Sequence, residues 1–369
     1  MKIALVHDYL KEYGGAERVL MTLHRLYPRA PIYTAFALVG STAAKEFKGA
    51  KINESFLSPL IKHKNLYSPL RFLAPLIWKS FNFKNFDLVI ASSSWFITRG
   101  FRVGKKTKTI CYCHTPPRFL YGFKTSVEWQ RYLPVRLYAL IVNHFLRFYD
   151  FKSAQEVDFF LANSNNVAGR IKKFYRRDST VIYPPVKAKE IAKATKNLKP
   201  QDYFLIVSRL VGAKGIELAA EVASRAKIKI KIVGEPAGLR FLGGELNRLK
   251  ANPYLEFLGR VTDEELYRLY GQCKAFLALA EDEDFGIAAV EAMAAGRPVI
   301  AYRGGGFLES VVEGKTGLFV DTLESGSLAK TVSNFRAEKY RPTDCVKQAL
   351  KFDEAIFKKK LTEFIKNNA

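Results

Sequence analysis

Two carboxylates with seven residues between them, Glu283 and Glu291, enclose the dipeptide Phe285-Gly286. They lead into small residues, Ala288, Ala289, Ala292, Ala294 and Ala295, that run to Gly296. An apolar stretch at 275–280 precedes them and reads as a strand. A helix that begins near Phe285 or Gly286 leaves Glu283 in the loop before it and sets Glu291 one to two turns inside. Both carboxylates then face one cleft, one suited to sugar hydroxyls and the other to a ribose. The free N–H groups of the helix start lie between them for phosphate. An acidic first turn favoured by the helix dipole accounts for Glu283 but not for Glu291.

A second run, Ser208-Arg209-Leu210-Val211-Gly212-Ala213-Lys214-Gly215, follows another apolar strand pattern. Arg209 and Lys214 flank a glycine-bearing turn into a helix. A guanidinium, an ammonium and a helix N-terminus together stabilise the negative charge of a departing diphosphate without a metal ion. A third turn, Tyr13-Gly14-Gly15-Ala16-Glu17, lets the backbone approach a ligand closely. The chain contains neither Gly-x-Gly-x-x-Gly nor Gly-x4-Gly-Lys-Ser/Thr. Asp282-Glu283-Asp284 has the form Asp-x-Asp, a metal-binding pattern elsewhere. It lies late in the chain and overlaps the paired glutamates, so it is read as coincidence and no metal site is expected.

These loops need elements to hold them. Short Val-, Ile- and Phe-rich runs predict strands at 2–7, 87–91, 107–113, 158–163 and 180–183. A second series is expected at 203–208, 227–234, 255–258, 275–280, 298–302 and 317–320. Amphipathic stretches between them make this an α/β chain of two doubly wound domains, with ligands at the strand C-termini where the domains face each other across a cleft. The expected division is 1–183, a linker at 184–201, 202–351, and a C-terminal helix from 352 to 369. Pro184-Pro185 and the lysine-rich stretch after it suggest the linker. The C-terminal helix is expected to set Ile356, Leu361, Phe364 and Ile365 broadly on one side and to pack back on the first domain.

The charge is lopsided. Residues 1–200 hold 34 Lys+Arg against 12 Asp+Glu, a net +22, whereas the remainder holds 25 against 23, a net +2. Such asymmetry points to an anionic partner. In 56–84, cations alternate with Leu60, Ile61, Leu70, Phe72, Leu76, Ile77, Trp78 and Phe81, broken by Pro59, Pro69 and Pro75. That mixture suits short helices on an anionic bilayer. No helix-turn-helix, zinc-finger or RNP-like motif supports nucleic acid as the partner. Met1 to His7 followed by Asp8 reads as a first strand rather than a signal peptide. The four cysteines, Cys111, Cys113, Cys273 and Cys345, have no metal-ligand spacing and are expected to be buried, reduced thiols. A cytoplasmic chain held at the membrane face is expected.

Glu283-x7-Glu291 with Phe285-Gly286 inside it resembles the signature of glycosyltransferase family 4, a retaining group with the GT-B fold. The resemblance continues through Ala294-Ala295-Gly296-Arg297-Pro298-Val299-Ile300-Ala301, Gly304-Gly305-Gly306 with Glu309, and Gly314 to Val320. Phe257-Leu258-Gly259-Arg260-Val261 is similar to the loop that the family sets against the base. In the first half, Phe86 to Ser93, Cys111-Tyr112-Cys113-His114-Thr115-Pro116, and Ala162-Asn163-Ser164 with Arg170 also match. The nearest branch is that of GDP-mannose-dependent mannosyltransferases of lipopolysaccharide and polysaccharide synthesis. The run Pro116-Pro117-Arg118-Phe119-Leu120-Tyr121-Gly122 departs from that branch on the acceptor side.

The resemblance implies roles. Gly15 approaches the donor phosphate or sugar, and His114 lies beside the transferred sugar. Arg209 and Lys214 hold the diphosphate. Glu283 binds sugar hydroxyls with Phe285, Gly286 and Ile287 beside it, Glu291 binds the ribose, and Arg260 and Val261 meet the base. The expected reaction is retaining transfer of mannose from GDP-mannose, without cofactor or metal, to a lipid-linked or polysaccharide acceptor at the membrane. A UDP-sugar donor and a nucleotide-sugar epimerase of the same fold are the alternatives.

Overall fold

The computed structural model describes residues 1–63, 66–123, 132–236 and 244–369. The chain forms two compact units. The first comprises Met1–Phe123, a stretch that ends at Pro185, and Phe357–Ala369; the second contains Val186–Ile356.

The first unit is built on seven strands: β1 (Ile3–His7), β2 (Ile32–Thr34), β3 (Ile52–Glu54), β4 (Leu88–Ser93), β5 (Lys108–Cys113), β6 (Phe159–Ala162) and β7 (Thr180–Val181). Their order is β3-β2-β1-β4-β5-β6-β7, and the described pairings are parallel. Sheet growth reverses between β1 and β4, which makes that the topological switch point. Alternation sends Leu5, Ile90, Ile110 and Tyr112 to one face and Ala4, Val6, Val89 and Ala91 to the other. Cys111 and Cys113 share a face, packed with Val167, Ile171 and Tyr175. All four cysteines are buried thiols, and burial pushes Cys273 and Cys345 up to about 12, which keeps them protonated and inert.

The second unit has six strands: β8 (Phe204–Val207), β9 (Ile230–Val233), β10 (Leu255–Gly259), β11 (Ala275–Ala278), β12 (Val299–Tyr302) and β13 (Gly317–Val320). Their order is β10-β9-β8-β11-β12-β13, again with parallel pairings. Here the switch point lies between β8 and β11. Phe204, Ile206, Ile230, Ile232, Leu277 and Ile300 form the centre of its core.

Four expectations need correction. The stretch read as a linker carries a helix, Ala188–Thr195, which buries Ala188, Ile191 and Thr195 within the second unit. Its lysines lie on the outer side, so a basic composition did not prevent packing. In the C-terminal helix, Glu354–Asn368, the buried stripe is Phe357, Leu361 and Ile365 at a spacing of four, while Ile356 is exposed. That stripe enters the first unit's core beside Leu5 and Leu161. Strands β2 and β3 were not anticipated. Finally, the segment 56–84 divides: Leu60, Phe72 and Leu76 are exposed, whereas Ile61, Ile77, Trp78 and Phe81 face inward. They are core, and the Trp78 indole donates to the Phe96 carbonyl at 2.7 Å. Lys64, in the same predicted surface, lies outside the described residues.

Candidate active site

Each unit gathers part of the residues singled out in the sequence around its own switch point. In the first, β1 and β4 are in register with His7 opposite Ser92, and Ser92 is in turn opposite Tyr112 of β5. Paired residues share a face, and His114 follows Tyr112 by two, so His7, Ser92 and His114 project to the same side. The Ser92 hydroxyl lies between two imidazoles, 3.0 Å from His7 Nδ1 and 2.8 Å from His114 Nε2. His7 Nε2 is 3.2 Å from Glu17 Oε1, and the other oxygen of Glu17 accepts from the Gly14 N–H at 2.9 Å. Gly14 caps the helix Gly15–Leu26, which fixes Gly15 as its first residue. The His114 carbonyl accepts from the Asn163 amide at 2.8 Å.

This chain of groups has a direction. Burial alone would raise the Glu17 carboxyl, but the hydrogen bond and charge of His7 and the backbone N–H groups outweigh it and hold the pKa low. An ionised carboxylate only accepts, so the His7 proton sits on Nε2. The Ser92 hydroxyl has one proton, so it donates to one of the two imidazoles and its oxygen accepts from the other. Ser92 occupies Nε2 of His114, which leaves Nδ1 as the ring nitrogen that faces a ligand. Burial, reinforced by the charge of His7 and opposed by that of Glu17, holds the His114 pKa down to about 3. The imidazole therefore stays neutral, able to accept a hydrogen bond but not to act as an acid.

Asp8, next to His7, organises the loop after β4. It accepts from the Ser94 N–H and hydroxyl at 3.1 Å each, from the Phe96 N–H at 3.0 Å, and from the Thr98 hydroxyl.

In the second unit, Lys214 follows β8 and Glu283 follows β11, the two strands that flank the switch point. Lys214 Nζ is 2.5 Å from Glu283 Oε2, and both side chains are partly buried. The helix Ile287–Ala294 starts directly beyond, with Gly286 at its N-cap and φ of 88°. A side chain at Gly286 would be strained and would also strike the Phe307 ring at 2.6 Å. Phe285 is buried, its ring 5.2 Å from that of Phe352. The Gly304–Gly306 turn after β12 lies against this loop. The Gly306 N–H donates to the Glu283 carbonyl at 2.8 Å, and a Cβ on Gly305 would come within 2.3 Å of the same oxygen. The position of Glu283 is therefore set by backbone from two loops.

Glu291 is buried, and the Tyr270 hydroxyl donates to its Oε2 at 2.8 Å. Tyr270 belongs to the helix Asp263–Gln272, so its hydroxyl orients the carboxylate from a neighbouring element. Arg209 is exposed just beyond β8. Arg260 and Val261 follow β10, on the far side of β9 from the switch point. The structure thus joins Lys214 to Glu283 directly and sets Phe285, Gly286 and Ile287 at one helix start. It places Arg260 and Val261 two strands across. Sequence reasoning missed His7, Glu17, Ser92 and Tyr270. For the first three the signal was their place at strand ends and a helix start; for Tyr270 there was none.

Two doubly wound parallel α/β domains, each with its candidate groups at a switch point, define the class. The family follows from comparison: the model described as Glycosyltransferase Family 4 matches residues 13–190 and that of glycosyl transferases group 1 matches residues 187–352. The chain belongs to the glycosyltransferases and carries one domain of each kind. It is 27% identical over 287 residues to the alpha-1,3/1,6-mannosyltransferase of Dictyostelium discoideum, covering 66% of each chain. It is 29% identical over 147 residues to the GDP-mannose-dependent alpha-mannosyltransferase of Corynebacterium glutamicum, covering 40% of this chain and 34% of that one. These matches span from about a third to about two thirds of the relatives' lengths. Among solved structures, HepE of Anabaena in complex with UDP and glucose aligns over 99% of both chains at 19% identity with a TM-score of 0.67. Sucrose-phosphate synthase of Thermosynechococcus elongatus aligns over 99% of both at 17% identity and 0.71. Both share the GT-B architecture.

Proposed function

We propose that this chain transfers a hexose, mannose from GDP-mannose, with retention of configuration and without a metal ion, to a lipid-linked or polysaccharide acceptor at a membrane surface. The observation that carries the reading is the Lys214–Glu283 pair beside the Gly286 helix start, at the switch point of the second unit. The mannosyltransferase relatives support the choice of donor.

In this reading Lys214, Arg209 and the helix N–H groups take the charge that develops on the diphosphate as the bond from C1 to its oxygen breaks. Glu283 holds sugar hydroxyls and remains poised because Lys214 neutralises it before the donor arrives. Glu291, oriented by Tyr270, accepts from the ribose, and Arg260 and Val261 meet the base. His114, neutral, accepts from a hydroxyl of the transferred sugar, and Gly15 lets the first unit's backbone approach it. The acceptor hydroxyl attacks C1 on the face the diphosphate leaves. Its proton passes to the departing phosphate oxygen, which closes the balance without a carboxylate nucleophile.

Calorimetric titration with GDP-mannose, UDP-glucose and GDP, with and without EDTA, tests this. Binding of GDP-mannose that survives EDTA is expected. Lys214→Ala should reduce kcat by more than about 100-fold, with a smaller change in donor Kd. Selective UDP-glucose binding would replace the donor, and loss of binding in EDTA would refute the metal-free site.

A further inference from the structure

The long helix Leu133–Gln155 of the first unit is built inside out. Its inner face buries Ala139, Leu146 and Ala154 together with polar groups that fasten it. Asn143 is buried, donates to the Phe119 carbonyl at 3.1 Å and accepts from Arg71 at 3.2 Å. Asp150 is fully buried, paired with Arg99 and accepting from the Tyr121 hydroxyl at 2.6 Å. Its outer face is apolar: Leu133, Leu137, Leu140, Ile141, Phe145 and Phe148 are each more than half exposed. At about 100° per residue these six fall within an arc of about 140°. An unpartnered stripe about 22 Å long exceeds what a monomer ordinarily exposes to water.

The charges around the stripe select its partner. Arg136 and Arg147 run along one edge and Lys152 lies at the C-terminal end of the stripe, all exposed. The helix's one carboxylate is the buried Asp150, so no negative charge lies on the outer face. The segment beside it extends the same chemistry. Phe72 and Leu76 are exposed there, and the segment is tied to the helix by the Arg71–Asn143 bond and by the Tyr138 hydroxyl on the Pro69 carbonyl. Residues 1–200 carry a net +22. A second copy of this face would bring cations against cations, whereas an anionic lipid surface takes both the apolar stripe and the cations at its edge and end. No helix of the described residues is long and apolar enough to cross a membrane.

We infer that the outer face of the Leu133–Gln155 helix is the surface by which this chain docks on an anionic phospholipid bilayer. The helix lies in the plane of the headgroups, with Leu137, Leu140, Ile141, Phe145 and Phe148 among the acyl chains and Arg136, Arg147 and Lys152 at the phosphates. The inference deepens the proposed membrane location of the acceptor and rests on that reading for its purpose.

Flotation of the full chain with phosphatidylcholine vesicles, with and without about one-third phosphatidylglycerol, tests it. The wild type should float with the anionic vesicles only. Phe145→Ser with Phe148→Ser should weaken partitioning by more than about 10-fold while the unfolding temperature and GDP-mannose calorimetry stay unchanged, because both rings are exposed. Binding that high salt abolishes but the double substitution leaves intact would overturn helix insertion. A concentration-dependent dimer in light scattering that the double substitution dissolves would assign the face to a second copy and overturn it equally. Wild type that floats but takes no nucleotide sugar retires the proposed donor and keeps the docking face; the converse retires the docking face alone.

Discussion

Replacing Ser92 by alanine isolates the polar chain behind His114. The substitution removes one oxygen, buried between two buried imidazoles, and leaves His7 Nδ1 and His114 Nε2 without the partner each has at 3.0 and 2.8 Å. A buried nitrogen that loses its partner costs roughly 1–2 kcal/mol beyond the bond itself, so the two together should cost about 2–4 kcal/mol. The first unit should then unfold roughly 5–15 °C lower. A methyl group in place of a hydroxyl makes no clash, so the loss reports the hydrogen bonds rather than packing. Differential scanning calorimetry gives the shift. Nitrogen-15 correlation spectra of the histidine rings give the tautomers: in the wild type the Ser92 contact should make one His114 tautomer dominant, and in Ser92→Ala that bias should vanish. Because the backbone of β4 is held by both neighbouring strands, the variant should still fold. Turnover should fall more than donor affinity, since the tautomer of His114 matters only where a sugar hydroxyl meets Nδ1. An unfolding temperature within about 1 °C of wild type, together with unchanged His114 ring signals, would refute the relay.

Acid should destabilise the first unit in two stages. A histidine held near 3 binds its proton less readily folded than unfolded, so between 6.5 and about 3 the unfolded chain carries more protons and stability falls as pH falls. By about pH 4.5 the loss should reach roughly 3 kcal/mol, and His114→Gln should flatten it in thermal melts across that range. Glu17, held low, contributes stability that is present above its ordinary 4.5 and is lost only as pH drops through its folded value, so a Glu17→Gln difference should appear below that point. In the second unit, Tyr270→Phe removes the hydroxyl on Glu291 and nothing else. Donor Kd should rise about 5- to 10-fold in calorimetry, and an unchanged Kd would separate Glu291 from the donor.

The long buried strands could be read from composition because a parallel strand covered on both faces is largely apolar, and 88–91, 275–278 and 299–302 are. The helix start at Gly286 was legible for a related reason. Glycine before a run of alanines is both a permissive cap and a strong helix signal. Strands β2 and β3 were not legible, since three residues carry no period and their extended form depends on pairing outward from β1. The helix at Ala188–Thr195 was hidden by a composition that looked like a linker, and burial of Ile191 overrode it.

The amino-acid order by itself marked the candidate loops: Gly14-Gly15, Lys214 and the paired glutamates stand out through residue type and spacing within one turn or one loop. Tertiary structure alone decided which groups meet. His7, Ser92 and His114 are joined by strand register, Tyr270 reaches Glu291 from another helix, and the Leu133–Gln155 helix turns Leu137, Leu140, Phe145 and Phe148 outward while Asn143 and Asp150 are buried with their partners. Local spacing records what lies along one element. Contacts between residues distant in the chain, and the choice of which helix face goes inside, are settled by the packing of the whole unit.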